Sequence, residues 1–144
     1  MTVSRERIVE TLERGWGSYS ATFDELSPDG QAAYLHRQGY GRFADVLAHV
    51  LAWWREARLV IKALLDDPSY HAPERDVDGF NAEAVEANRS QSESEVRRVF
   101  EIERRLMLDL VLALPSEALE SEKIMGQLNM EIVGHLTEHS LAGY

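Results

Sequence analysis

The chain of 144 residues contains no cysteine. Disulfides, thiolate metal ligation and a cysteine nucleophile are therefore excluded, and any thiol in its chemistry must arrive with a cosubstrate. Positive charge is scarce, with 15 Lys and Arg against 25 Asp and Glu and a formal net charge of −10. The densest basic groups, Arg97-Arg98 and Arg104-Arg105, stand among glutamates on what reads as a solvated helix face. That balance favours solubility and leaves no broad basic face for nucleic acid or an anionic membrane. Long hydrophobic runs are missing as well. The longest, VLAHVLAWW, is far short of a membrane span. The N-terminal MTVSRERIVETLERG carries charge where a signal peptide would be apolar. The expectation is a cytoplasmic protein with neither nucleic-acid nor membrane partners.

Strand-like alternation, internal repeats and Gly/Ser-rich linkers are also lacking. With 44% hydrophobic and 28% charged residues the composition is that of an ordinary globular protein. Its length suits one domain, residues 1–144, with one proper core.

What is present is helical period. Ile8, Leu12, Trp16, Tyr19, Phe23 and Leu26 are spaced by three or four and predict a helix over about 4–26, with Ser4 as N-cap. SPDG at 27–30 punctuates its end. A second helix over about 41–66 carries a wide stripe through Phe43, Val46, Leu47, Val50, Trp53, Trp54, Ala57, Val60, Ile61 and Leu64. A polar connection, DDPSYHAPERD, and a short helix, DGFNAEAVEANR, follow. The third long helix spans about 93–114, with Val96, Val99, Phe100, Ile102, Leu106, Leu110 and Leu114 in phase, and Pro115 stops it. The last runs from about 126 to 141. The architecture this predicts is an all-α four-helix bundle with a longer connection, carrying a short helix, between helices 2 and 3.

Two of the five histidines close the chain in VGHLTEHSLAGY. The series Leu128, Ile132, His135, His139 puts both imidazoles on the apolar side of the last helix, with Cβ atoms roughly 5–6 Å apart. Two helix-borne histidines at that spacing can grip one metal ion. A buried imidazole needs either a metal or a hydrogen-bond partner to offset its desolvation, so the pair alone leaves both readings open. His49 lies on or beside the buried stripe of the second helix and can meet the pair if helices 2 and 4 are neighbours. Three histidines with open coordination positions form a catalytic rather than a structural arrangement. A core histidine capped by a hydroxyl or carbonyl is the alternative for His49. His36 and His71 fall in connections and read as surface residues.

HLTEH also matches the inverted zincin motif, whose glutamate acts as general base. Such proteases use a later acidic ligand, and none of the five residues after His139 is acidic, so that reading is not expected to hold. Glu138 points roughly 100° away from His139 around the helix and is expected to face solvent. Of Trp53 and Trp54, one ring is expected in the core and one toward a cleft or partner.

DVLAHVLAWW, DVDGFNAEAVEANR, SESEVRRVF and HLTEH together resemble the DinB-like superfamily of four-helix bundles over roughly residues 4–142. The wording of the middle and final segments is most similar to the ClbS/DfsB branch. The resemblance implies a divalent ion, nickel or zinc, held by His49, His135 and His139. It also implies a small-molecule substrate in a cleft edged by Trp53 or Trp54 with Asn81 nearby, and a homodimer. The superfamily's activities include transfer or isomerisation with a low-molecular-weight thiol cosubstrate. In the ClbS branch they include hydrolytic resistance to a genotoxic metabolite. The expectation is therefore a metal-dependent hydrolase or thiol-dependent transferase. A resistance protein that binds or sequesters its small molecule without a functional metal is the alternative. Leu136 departs from the pattern, which commonly has an aromatic there.

Overall fold

Four serines write the helix starts of this protein. Ser4, Ser27, Ser92 and Ser121 each accept a hydrogen bond from the backbone N–H three residues on, at Arg7, Gly30, Glu95 and Ile124. Each satisfies one of the donors that a helix leaves unpaired at its N-terminus.

In the computed structural model, which describes residues 3–144, the chain is all-helical, and no strand occurs among the described residues. Helix α1 (Arg5–Glu10) continues as a π-helical stretch (Thr11–Trp16) and, after a turn, as α2 (Tyr19–Glu25). Next come α3 (Pro28–Gln38), the long α4 (Phe43–Asp66), α5 (Val77–Ala87) and the long α6 (Glu93–Ala113). A 3₁₀ turn (Ser116–Glu120) leads to α7 (Glu122–Leu128), a second π-helical stretch (Asn129–Gly134) and the single turn α8 (His135–Glu138). No helix is long and apolar enough to cross a membrane among the described residues.

Helix α4 is the hub, packing against α5, α6, α7 and the second π stretch. Its stripe from Phe43 to Leu64 is buried as its period predicts, except for Trp53, which is only half-buried. On it Trp54 meets Trp16 edge-on at 5.3 Å and Phe100 at 5.1 Å, while Phe23 stacks on Phe43 at 4.0 Å. Truncating a core tryptophan such as Trp54 to alanine costs about 3–5 kcal/mol in a packed interior.

Three expectations change. SPDG does not simply end a helix: Ser27 and Pro28 start α3, because a capping hydroxyl followed by a pre-set φ is a helix opening. The last helical run begins at Glu122 and its α-helix stops at Glu138, with His139 as its C-cap, so it is earlier at both ends than periodicity suggested. In α6 the inward series is Val96, Phe100, Glu103, Met107 and Val111, which leaves Ile102 and Leu106 exposed. That phase buries Arg104 too, whose Nη1 donates to the Leu12 carbonyl at 3.1 Å while Glu101 binds its other edge. Arg97 lies over the Phe43 ring at 5.2 Å and pairs with Asp24. Arg104 thus leaves the solvated face and Arg97 is half-buried, while Arg98 and Arg105 stay exposed as expected.

Candidate metal centre

Helical phase brings His49 of α4 against the end of the last helical run. The ring nitrogens that His49, His135 and His139 offer one another all lie within 4.8 Å. His49 and His139 are buried and His135 is half-buried. His36 and His71 stay on the surface and join no cluster.

The π stretch before His135 shapes the site. A π turn shifts backbone pairing from the i−4 carbonyl and leaves carbonyls to be met otherwise. Here two tryptophans do so: Trp54 Nε1 donates to Glu131 O and Trp16 Nε1 to Ile132 O, each at 2.9 Å. His135 Nδ1 also sits 2.9 Å from Glu131 O. The buried indoles thus pin the turn that presents His135. The His139 carbonyl is held by the mutually hydrogen-bonded hydroxyls of Tyr19 and Tyr34, whose oxygens lie 2.5 and 3.1 Å from it. Burial raises both phenols, that of Tyr34 to about 12, so these hydroxyls keep their protons and donate at neutral pH.

Tautomers follow from the outer contacts. His139 Nδ1 lies 2.6 Å from Gln38 Oε1, and the same amide's Nε2 donates to Glu138 O at 3.3 Å, which orients the amide. An oxygen at that place makes Nδ1 the protonated nitrogen and leaves Nε2 with a lone pair. The Glu131 carbonyl does the same for His135. His49 Nδ1 lies beside the carbonyls of Val46 and Asp45 and closes no well-formed hydrogen bond. Its Nε2 stands 3.0 Å from His139 Nε2.

That last contact discriminates between readings. If it is a His–His hydrogen bond, His49 must carry its proton on Nε2, and a bare Nδ1 lone pair then faces carbonyl oxygens. A cation between the rings removes the conflict, since every Nδ1 keeps its proton and three Nε2 lone pairs converge. Two nitrogens each about 2.0–2.1 Å from one ion, at about 90–110° to each other, lie about 2.9–3.4 Å apart. The His49–His139 distance of 3.0 Å fits, the His135 nitrogen lies within 4.8 Å of the other two, and the cluster is compatible with a bound metal ion.

Electrostatics agree with a site built for lone pairs rather than charge. Burial lowers all three imidazole pKa values, and neighbouring histidines lower two of them further, taking His49 to about 3 and His139 to about 4. Neutral imidazole is the ligating form. Glu131, only 3% exposed, is raised to about 8 by burial first and by the charges of Glu138 and Glu56 next. Its Oε2 has no hydrogen-bond partner and sits 3.7 Å from His135 Nδ1.

The cluster opens into a cleft of about 460 Å³. Tyr40 stacks on His49 at 5.0 Å, and Trp53, one turn along α4, forms part of the wall. Trp53 Nε1 donates to Asn81 Oδ1 at 2.7 Å, joining α4 to α5. Trp54 does not line the cleft, because its ring is buried in the core. Glu138 is exposed at the rim, with its carboxylate 3.9 Å from His139 Nε2. A hollow of similar size along α1, lined by Arg5, Glu6, Glu10 and Arg14, gathers no such cluster.

Sequence reasoning missed Gln38, Tyr40 and Glu131. Glu131 stands four residues before His135 and so shares its helical face, a signal that was available. Gln38 and Tyr40 depend on α3 and the turn after it, whose sequence carries no strong apolar stripe. Comparison with family models, with curated proteins and with solved structures finds no match to this chain.

Proposed function

We propose that His49, His135 and His139 hold one divalent ion with open positions toward the cleft, and that the protein acts on a small molecule bound there. The observation that supports this is the cluster of three imidazoles, with ring nitrogens within 4.8 Å of one another and an oxygen beside Nδ1 of both His135 and His139. Three borderline nitrogen donors suit zinc or nickel. An ion so held lowers the pKa of a bound water or of an incoming thiol, the chemistry of a hydrolase or of a transferase using a low-molecular-weight thiol.

The residues around it have separable tasks. Gln38 and the Glu131 carbonyl orient the imidazoles, and Tyr19 and Tyr34 hold the backbone of His139. Glu131 is placed to take or return a proton near the site, since a buried carboxyl at about 8 exchanges protons near neutrality. Trp53 and Asn81 wall the substrate's side of the cleft. The fold and family belong to the same proposal: a four-helix bundle of the DinB-like superfamily, nearest its ClbS/DfsB branch, working as a homodimer. The four long helical runs, α4 among them, support the bundle, and the quoted motifs support the family.

Metal content tests the proposal. Tag-free protein supplemented with zinc or nickel is expected to retain about one equivalent per chain, and His49→Ala and His139→Ala to retain none. Wild type that stays metal-free would remove the basis of this reading. Turnover of ester and epoxide probes, with and without a low-molecular-weight thiol, then separates hydrolase, transferase and non-catalytic binder.

A further inference from the structure

The wall of the cleft beyond the triad has a chemical character of its own. Trp53 lies four residues after His49 on α4, so its ring starts one helical turn from the proposed ion. The indole is fixed twice: Asn81 Oδ1 takes its N–H at 2.7 Å, and Phe80 packs on it at 4.1 Å between centroids. With its polar edge satisfied, what it offers the cleft is flat apolar surface. Val77 and Met130 line the same cleft and add exposed apolar surface at 55% and 56% exposure. No Lys or Arg lines the cleft, and its acidic side chains are Glu131 and Glu138. Nothing there grips an anionic tail through a cation of the protein. The head of a ligand is left to the triad and its body to the shelf.

We infer that the cleft takes a small molecule with a flat aromatic ring, seated on the Trp53–Met130–Val77 shelf, and a metal-binding oxygen head about one helical turn away at the triad. A ring adds a third member to the Trp53–Phe80 pair, in the offset or edge-on geometry that aromatic groups prefer. An aliphatic body of the same size is covered by the shelf without that preference. A cleft of about 460 Å³ admits such a molecule with room for a second reactant, such as a thiol. The inference rests on the ion-holding triad proposed above.

Three hydroxamates test it on zinc-loaded protein by calorimetry: acetohydroxamate, cyclohexanecarbohydroxamate and benzohydroxamate. All share the head that binds the ion and differ only in the body. Benzohydroxamate is expected to bind about tenfold or more tighter than acetohydroxamate, and clearly tighter than the cyclohexyl compound. Trp53→Ala is expected to erase the benzo-over-aceto advantage, read as the ratio of the two affinities within that variant. Met130→Ser, at an exposed position, is expected to reduce the advantage in a protein of unchanged unfolding midpoint, which covers a Trp53 variant that fails to fold. Equal affinities for benzo and aceto compounds, or for phenyl and cyclohexyl, overturn the inference and leave the ion reading standing. So does loss of all three from a protein that still holds zinc. A protein that holds no zinc takes both readings with it.

Discussion

Two glutamates of this protein are almost equally buried, Glu103 at 6% and Glu131 at 3% exposure, and they live in opposite surroundings. Glu103, on α6, is met by Arg55 at 2.9 Å and by Arg58, both reaching across from α4. Glu131 has no cation, only the N–H side of a neutral imidazole at 3.7 Å, and the nearest charges, Glu138 and Glu56, repel it. The first region is an ionic joint between two packed helices. The second is a carboxyl without an opposing cation, in the lining of an open cleft. Burial of a charge-bearing residue therefore says little about function by itself; what separates the two is whether an opposite charge compensates it.

Variants at the two regions can break that contrast. The largest effect is expected for His139→Ala, whose loss of ion affinity should exceed the roughly 10–100-fold that outer contacts of a metal site carry; a competing chromophoric chelator measures it. On the other side, Glu103→Ala leaves Arg58 facing a low-dielectric gap and is expected to cost about 3 kcal/mol in urea unfolding. Glu131→Gln in the same experiment at pH 8 should cost under about 1 kcal/mol or stabilise, because no cation loses its partner. Equal losses for the two glutamates would end the distinction between joint and site.

A smaller effect separates position from packing. Gln38→Leu should keep the unfolding midpoint of the metal-free protein yet weaken ion binding by about 10–100-fold, since only the tautomer and aim of His139 are lost. Loss of midpoint without loss of affinity would assign Gln38 to the fold instead.

The finest contrast lies in pH. In the metal-free protein, the histidines have folded values of about 3 and about 4 against an ordinary 6.5, so stability is lost as pH falls below 6.5. Glu131 runs the other way: between 4.5 and about 8 the folded carboxyl holds a proton that the unfolded chain has released, so stability falls as pH rises. Glu131→Gln is expected to steepen the gain from pH 4.5 to 6.5 and to flatten the decline from 6.5 to 8. An unchanged profile would show that Glu131 is not protonated in the folded state.

Much of the helical plan was legible in the residues. The stripe of α4, the serine that opens α1, the short α5 and the inward phase of His135 and His139 all follow from spacing of three and four. Illegible parts share a cause. Helix α3 buries one residue, Tyr34, so it has no stripe to read, and its Ser-Pro opening looks like a turn. In α6 two phases compete: Ile102 and Leu106 make one apolar series, while the observed one turns Glu103 and Arg104 inward. Their partners decide it, and those lie on α4 and in the π stretch after α1.

From composition and period alone came the absence of thiols, the helical class, and two imidazoles on one face near the chain end. Local spacing can encode these because a helix repeats every 3.6 residues whatever surrounds it. Tertiary structure decided the rest. It chose which residues 90 positions apart, His49 and His139, would stand ring to ring. It sent Trp54 into the core and Trp53 to the cleft, and it supplied cations to one buried glutamate while withholding them from the other. Those outcomes depend on which helices become neighbours, and no period within a single helix contains that information.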